Sequence, residues 1–127
     1  MQKKFINPET MPPTFGYSHV VEVTNAKRTI YISGQVAINT DGQIVGIDDL
    51  ATQTRQVFEN IKSALETSEL KFNDVVKLTF FLTDISQMAI VDQYIDTNNP
   101  PASSAVEVRK LINDNLLIEI EAIAVAN

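Results

Sequence analysis

The sequence predicts an α+β fold in which a mostly antiparallel sheet carries two helices on one face. Three observations carry that reading. The C-terminal segment Ile118-Glu119-Ile120-Glu121-Ala122-Ile123-Ala124-Val125 alternates at period two, as a strand does. Leu50, Val57, Phe58, Ile61, Ala64 and Leu65 share one helical face, opposite Arg55, Glu59, Lys62 and Glu66. The order of elements is strands, helix, strand, helix, two strands, which suits helices layered on one sheet face.

The elements follow in order. Met1 to Pro8 offers two lysines but only two apolar residues, Phe5 and Ile6, before a turn, too few for a signal peptide. Val20-Val21-Glu22-Val23 and Thr29-Ile30-Tyr31-Ile32-Ser33 read as β-branched strands. Asn39-Thr40-Asp41-Gly42 is a turn leading to Gln43-Ile44-Val45, so the first third reads as a β meander. Asp48 or Asp49 caps a helix that should run to Ser68. Asn73-Asp74 precedes a strand from Val75 to Leu82, and Thr83-Asp84 opens a shorter helix through Met88, Val91 and Ile95 that Pro100-Pro101 ends. Ala102 to Val108 and the C-terminal segment supply the last strands.

Composition narrows the function. The 127 residues, 44% hydrophobic and 20% charged, fit one globular domain spanning 1–127. No apolar run approaches the ~18 residues of a membrane span, so no membrane partner is expected and a cytoplasmic location is the default. The chain has no cysteine, which removes disulfides, thiolate nucleophiles and cysteine zinc sites, and His19 is its one histidine. With neither a histidine pair nor a calcium-loop pattern, no metal is expected. A net charge of −6, with ten scattered Lys and Arg residues, disfavours nucleic acid and leaves a small molecule as the expected partner.

The final strand suggests where chemistry lies. Ile118, Ile120, Ala122 and Ala124 share one face. Glu119 and Glu121 share the other with Ile123 and Val125, on a surface that should be covered, where a carboxylate is costly unless it is needed. Two helices on one face leave that second face bare, so self-association is expected.

At this resolution of detail the chain resembles the Rid family, also called YjgF or reactive intermediate deaminases. The likeness rests on Tyr17-Ser18, Ile32-Ser33-Gly34-Gln35, Asp41-Gly42, Gln53-Thr54-Arg55-Gln56-Val57 with Asn60-Ile61-Lys62, Asp74-Val75-Val76-Lys77 and Phe81-Leu82-Thr83-Asp84. Its most specific part is Pro101-Ala102, Ser104, Val106-Glu107-Val108 and Ile118 to Ala124. The resemblance implies a chorismate-mutase-like fold, assembled as a homotrimer with sheets inside and pockets between subunits. It also implies cofactor-free hydrolysis of enamines or imines, such as 2-aminoacrylate, to a carbonyl compound and ammonia. Carried over by motif, the pocket would be walled by Tyr17, Ser33, Gly34, Ser103 and Ala105, with Glu119 positioning the attacking water.

The chain departs from the family where the substrate carboxylate would be clamped. Ser103 stands where the resemblance expects an arginine, and loss of that charge-assisted contact should weaken carboxylate binding roughly 10- to 100-fold. Arg109 lies about 20 Å farther along the strand and is no substitute within one chain. The stretch before Pro101-Ala102 is shorter than usual, Asp92 corresponds to a common asparagine, and His19 and Ala105 replace a glutamine and a cysteine. A glycine after the first helix is replaced around Glu69, which should weaken that turn by about 1 kcal/mol.

Each candidate has a plainer reading. Glu119 could be a strand glutamate satisfied by a neighbour, Tyr17 could simply pack beside Phe15, and Ser33-Gly34 could be turn chemistry. His19 reads more readily as structural than as an acid or base. Ser103 and Ser104 lack a base placed by motif, Glu107 and Glu121 read as structural, and Arg55 can pair with Glu59 on a solvated helix face. The alternative to an enzyme is a non-catalytic, metabolite-binding regulatory trimer. A ribonuclease reading, also attached to this family, is disfavoured by the acidic charge and the absent histidine pair.

Overall fold

The computed structural model describes residues 1–127. Its order is β1 (Gln2–Ile6), β2 (Val20–Thr24), β3 (Arg28–Val36), α1 (Leu50–Glu66), β4 (Val75–Leu82), α2 (Met88–Asp92), β5 (Ala102–Glu107) and β6 (Ile118–Ala126). The main sheet has four strands in the order β3-β6-β4-β5, with β6 antiparallel to both neighbours and β5 parallel to β4.

The alternation of β6 sets the layers. Ile118, Ile120, Ala122 and Ala124 are almost fully buried and pack with Leu78, Phe80 and Leu82 of β4 beneath Val57, Ile61 and Leu65 of α1. On the opposite face, cross-strand register groups Glu119 with Val36 and Phe81, and Ile123 with Tyr31. No element of the chain closes this face fully: Tyr31 is 77% exposed and Val106 43%.

Helix α1 begins where Asp49 accepts hydrogen bonds from Thr52 N at 3.1 Å and Thr52 Oγ1 at 2.6 Å. It ends in a turn closed by Leu70 N donating to Leu65 O at 3.0 Å, with Glu69 left-handed at φ +60°. The expected glycine-deficient turn is therefore present, and Glu69 occupies its strained position.

Four sequence expectations change. Gln2–Ile6 is a strand, pairing Phe5 with Val21 in a separate β1–β2 sheet, so the first third is not a meander. Lys3 and Lys4 precede Phe5 and Ile6, so each face of this strand carries one lysine and one apolar residue, on a two-stranded ribbon that needs little core. Gln43-Ile44-Val45 contributes only an isolated bridge from Ile44 to Ile38, because the turn at Gly42 returns the chain at once toward α1. The second helix is shorter than expected. Asp84 caps a 3₁₀ turn at Ile85–Gln87 by accepting from Ser86 N, and α2 stops at Asp92. Arg55 and Glu59 form no ion pair; the pairs present are Lys4–Glu22 and Lys110–Asp114.

Candidate functional site

The candidate residues fall into two clusters on opposite sides of the sheet. The first is built by a break in the β3–β6 ladder. Ile32 pairs with Ala122 and Gln35 with Ile120, so Ser33 and Gly34 together oppose Glu121 in a β-bulge. The bulge brings the Gly34 backbone against Glu119. A Cβ at position 34 would lie 2.7 Å from Glu119 Cδ and 3.0 Å from Cγ, so the glycine makes room for the carboxylate. Glu119 itself is half-buried between Val36 and Phe81.

Two buried or half-buried amides of α1 hold the strands that frame this carboxylate. Asn60 Nδ2 donates to Val36 O at 3.1 Å and Ile38 O at 3.0 Å, fixing the end of β3. Gln53, fully buried, donates through Nε2 to Asn115 O at 2.8 Å and Gly46 O at 3.0 Å and accepts at Oε1 from Leu117 N at 2.8 Å. Both belong to the motif that carried the resemblance. Gln53 thus braces the segment leading into Glu119, and Asn60 braces the end of the neighbouring strand β3.

The second cluster lines a cleft of about 200 Å³ between α2 and the β5 edge. Tyr17, Ser103 and Ala105 meet there with Phe15, Phe80, Met88, Ile95 and Asp92. In the parallel β4–β5 register Leu78 opposes Ser103 and Phe80 opposes Ala105, which puts both on the helix side. Phe81 opposes Glu119 and Val106, which puts Glu119 on the other side. Within one chain, then, Tyr17, Ser103 and Ala105 come together, Gly34 and Glu119 come together with Ser33 beside Gly34 in the bulge, and the two groups do not meet.

The loop bearing Tyr17 is tied to the start of β5. Ser18 is buried and donates from Oγ to Pro100 O at 2.6 Å and from its backbone N–H to Pro101 O at 3.2 Å. His19 stands edge-on to Tyr17 with ring centroids 5.5 Å apart. Its Nε2 lies 2.7 Å from Pro12 O, and because a carbonyl only accepts, Nε2 carries the proton. His19 braces the tyrosine. No hydrogen bond joins it to Ser103 or Ser104, and Ser104 Oγ accepts from Lys77 Nζ at 3.4 Å. Glu107 Oε1 accepts from Ile85 N at 3.1 Å, a structural contact.

Asp92 is the charged residue of the cleft. Burial pushes its carboxyl above the usual aspartate value, and it belongs to neither ion pair. A signal for this wall exists in the sequence: Met88, Asp92 and Ile95 recur at helical spacing, with the acid among apolar residues.

The family model described as Endoribonuclease L-PSP matches residues 8–126. A RutC family protein of Pyrococcus abyssi is 40% identical over 129 residues, covering 98% of each chain. The 2-iminobutanoate/2-iminopropanoate deaminase of Escherichia coli is 38% identical over 130 residues, covering 96% of this chain and 97% of that one. Among solved structures, the Rid-family protein YyfB of Yersinia pestis superposes with a TM-score of 0.89 at 40% identity, over 98% of this chain and 99% of that one. With matches of this extent along an α+β chain whose bulge, amide braces and Pro-Ala strand all lie within the aligned length, the protein belongs to the Rid family.

Proposed function

We propose that this protein is a homotrimer that hydrolyses an imine or enamine at a site shared between subunits. The observation that carries this reading is the opposed placement of Glu119 and of Ser103 with Tyr17. The sheet face holding Glu119 is unclosed and bears Tyr31, Phe81, Val106 and Ile123, a surface suited to a second copy. Packing that face against the β5 edge of a neighbour would set one chain's carboxylate across from the other's cleft.

The chemistry asks little of the protein. Glu119 accepts a proton from water as the oxygen attacks the C=N carbon, giving a carbinolamine. The proton then passes to nitrogen, the C–N bond breaks, and the products are a carbonyl compound and ammonia. No cofactor enters this sequence. The 38% identical Escherichia coli protein, named for 2-iminobutanoate and 2-iminopropanoate deamination, supports the reaction class. The net charge of −6 and the single histidine speak against RNA cleavage.

The test uses shared geometry. Glu119→Ala and Tyr17→Ala are each expected to release ammonia from freshly generated imines far more slowly than the parent. Mixed, unfolded and refolded together, they should regain part of the rate, because some sites then receive both intact halves. Two fully active single variants would end the catalytic reading, and a monomer in sedimentation would end the shared site.

A second reading, a regulatory trimer that binds a metabolite without turnover, is favoured by Ser103 in the position of the expected arginine. Ser103→Arg separates the two. Activity on 2-aminoacrylate that appears only in the variant shows intact machinery with altered specificity; silence in both, over all imines tried, favours the binding protein.

A further inference from the structure

We propose that the cleft lined by Tyr17, Ser103 and Ala105 selects a ligand bearing a protonated amino group, and that Asp92 is the residue that selects it. The proposal deepens the function proposed above and rests on it. Asp92 is the sole charged side chain on the cleft wall, and neither lysine nor arginine lines it. The rest of the wall is apolar or neutral, and three of its residues, Phe15, Tyr17 and Phe80, are aromatic. Such a wall favours a cation through the carboxylate, with no cationic side chain to compete for it.

The same wall repels the usual anion. A carboxylate entering here would meet Asp92 with only the Ser103 hydroxyl to offset it, and like charges in a partly desolvated cleft disfavour each other. Asp92 is not committed elsewhere, since both ion pairs of the chain involve other residues. Burial already raises the cost of ionising its carboxyl, and an ammonium group in the cleft would relieve that cost. The substrate class is therefore an imine that carries a second amino group and lacks a carboxylate beside the C=N carbon. Oxidation of one amine of a diamine is the class of reaction that supplies such a compound. Its hydrolysis here would yield an amino-carbonyl product and ammonia.

The probes are n-butylammonium and butanoate, the same carbon chain with opposite charge, titrated into the intact assembly and followed by the amide resonances of Ser103 and Ala105. Butylammonium should bind at least about tenfold more tightly than butanoate. Asp92→Asn should abolish that preference, and Asp92→Asn with Ser103→Arg should reverse it. Tighter butanoate binding by the parent, or a preference unchanged in Asp92→Asn, overturns the charge selection while leaving the pocket in place. If neither probe moves those resonances, the pocket reading falls and this proposal with it. Asp92→Glu guards against a merely structural effect, because it should retain the cation preference.

Discussion

Gly34 and Glu119 are fitted to each other: the bulge in β3 brings a residue without a side chain to the point where the glutamate of β6 needs space for its carboxylate. The pair links a backbone irregularity to a specific carboxylate position. Without the bulge, the residue opposite Glu121 would be one and the alternation of β3 would continue unbroken past it.

Gly34→Ala should therefore behave like a partial deletion of Glu119. The added methyl forces the carboxylate aside, because the neighbouring atoms lie 2.7 and 3.0 Å away. Imine hydrolysis should fall by about 10²-fold or more, the scale of a displaced general base. Thermal unfolding should change little, since Gly34 is exposed. A parental rate in this variant would show that the position of Glu119 is immaterial to turnover.

How much of this was legible in the sequence follows from the period of each element. The two faces of β6 were readable because Ile118 to Ala124 alternates without interruption, and α1 because its apolar stripe is long and Asp49 precedes it. The strand at Gln2–Ile6 was not, because its hydrophobic pattern is only Phe5 and Ile6 and its partner lies in β2, about fifteen residues on. The division of the site residues between two sheet faces was implicit in the odd and even positions of β5 and β6. It needed the parallel β4–β5 register, which local pattern does not specify, to become a statement about Ser103 and Glu119. Asp92 carried a weak signal, an acid at helical spacing from Met88 and Ile95, but a five-residue helix is too short for that spacing alone to define the cleft wall.

Gln53→Leu should destabilise the fold through the strand it braces. The amide satisfies Asn115 O, Gly46 O and Leu117 N in a fully buried position, and leucine satisfies none of them. Loss of such contacts, with buried groups left unpaired, is worth about 2–4 kcal/mol. Urea titration measures it, and a loss under about 0.5 kcal/mol would mean that the Asn115–Leu117 segment relaxes to water without cost.

Glu69→Gly should act in the opposite direction. Glu69 is held at φ +60°, where glycine has no side-chain penalty, so relief of strain outweighs the added freedom of the unfolded chain by about 0.5–1 kcal/mol. The carboxylate is exposed, so little else is lost with it. An unchanged or lowered denaturation midpoint would show that the strain at this turn is negligible.

Asp49 gives the fold a defined sensitivity to acid. Hydrogen bonds from the side chain and backbone of Thr52 hold its carboxyl below the ordinary value of 3.8. Well above 3.8 the group is ionised in both folded and unfolded chains and its full contribution is present. As the pH falls past 3.8 the unfolded chain takes up the proton first, so the contribution shrinks until the folded group is protonated too. Asp92 works in the contrary sense: burial raises its carboxyl above 3.8, so its folded form binds the proton first and acid relieves a penalty. The total pH curve mixes both effects, but the difference between parent and Asp49→Asn isolates one of them. Asparagine keeps a side-chain oxygen for Thr52 N and loses the titration. The stability advantage of the parent should therefore be constant from neutral pH to about 5 and decline below it, whereas a difference that stays flat through strong acid would show that the cap does not depend on the charge of Asp49.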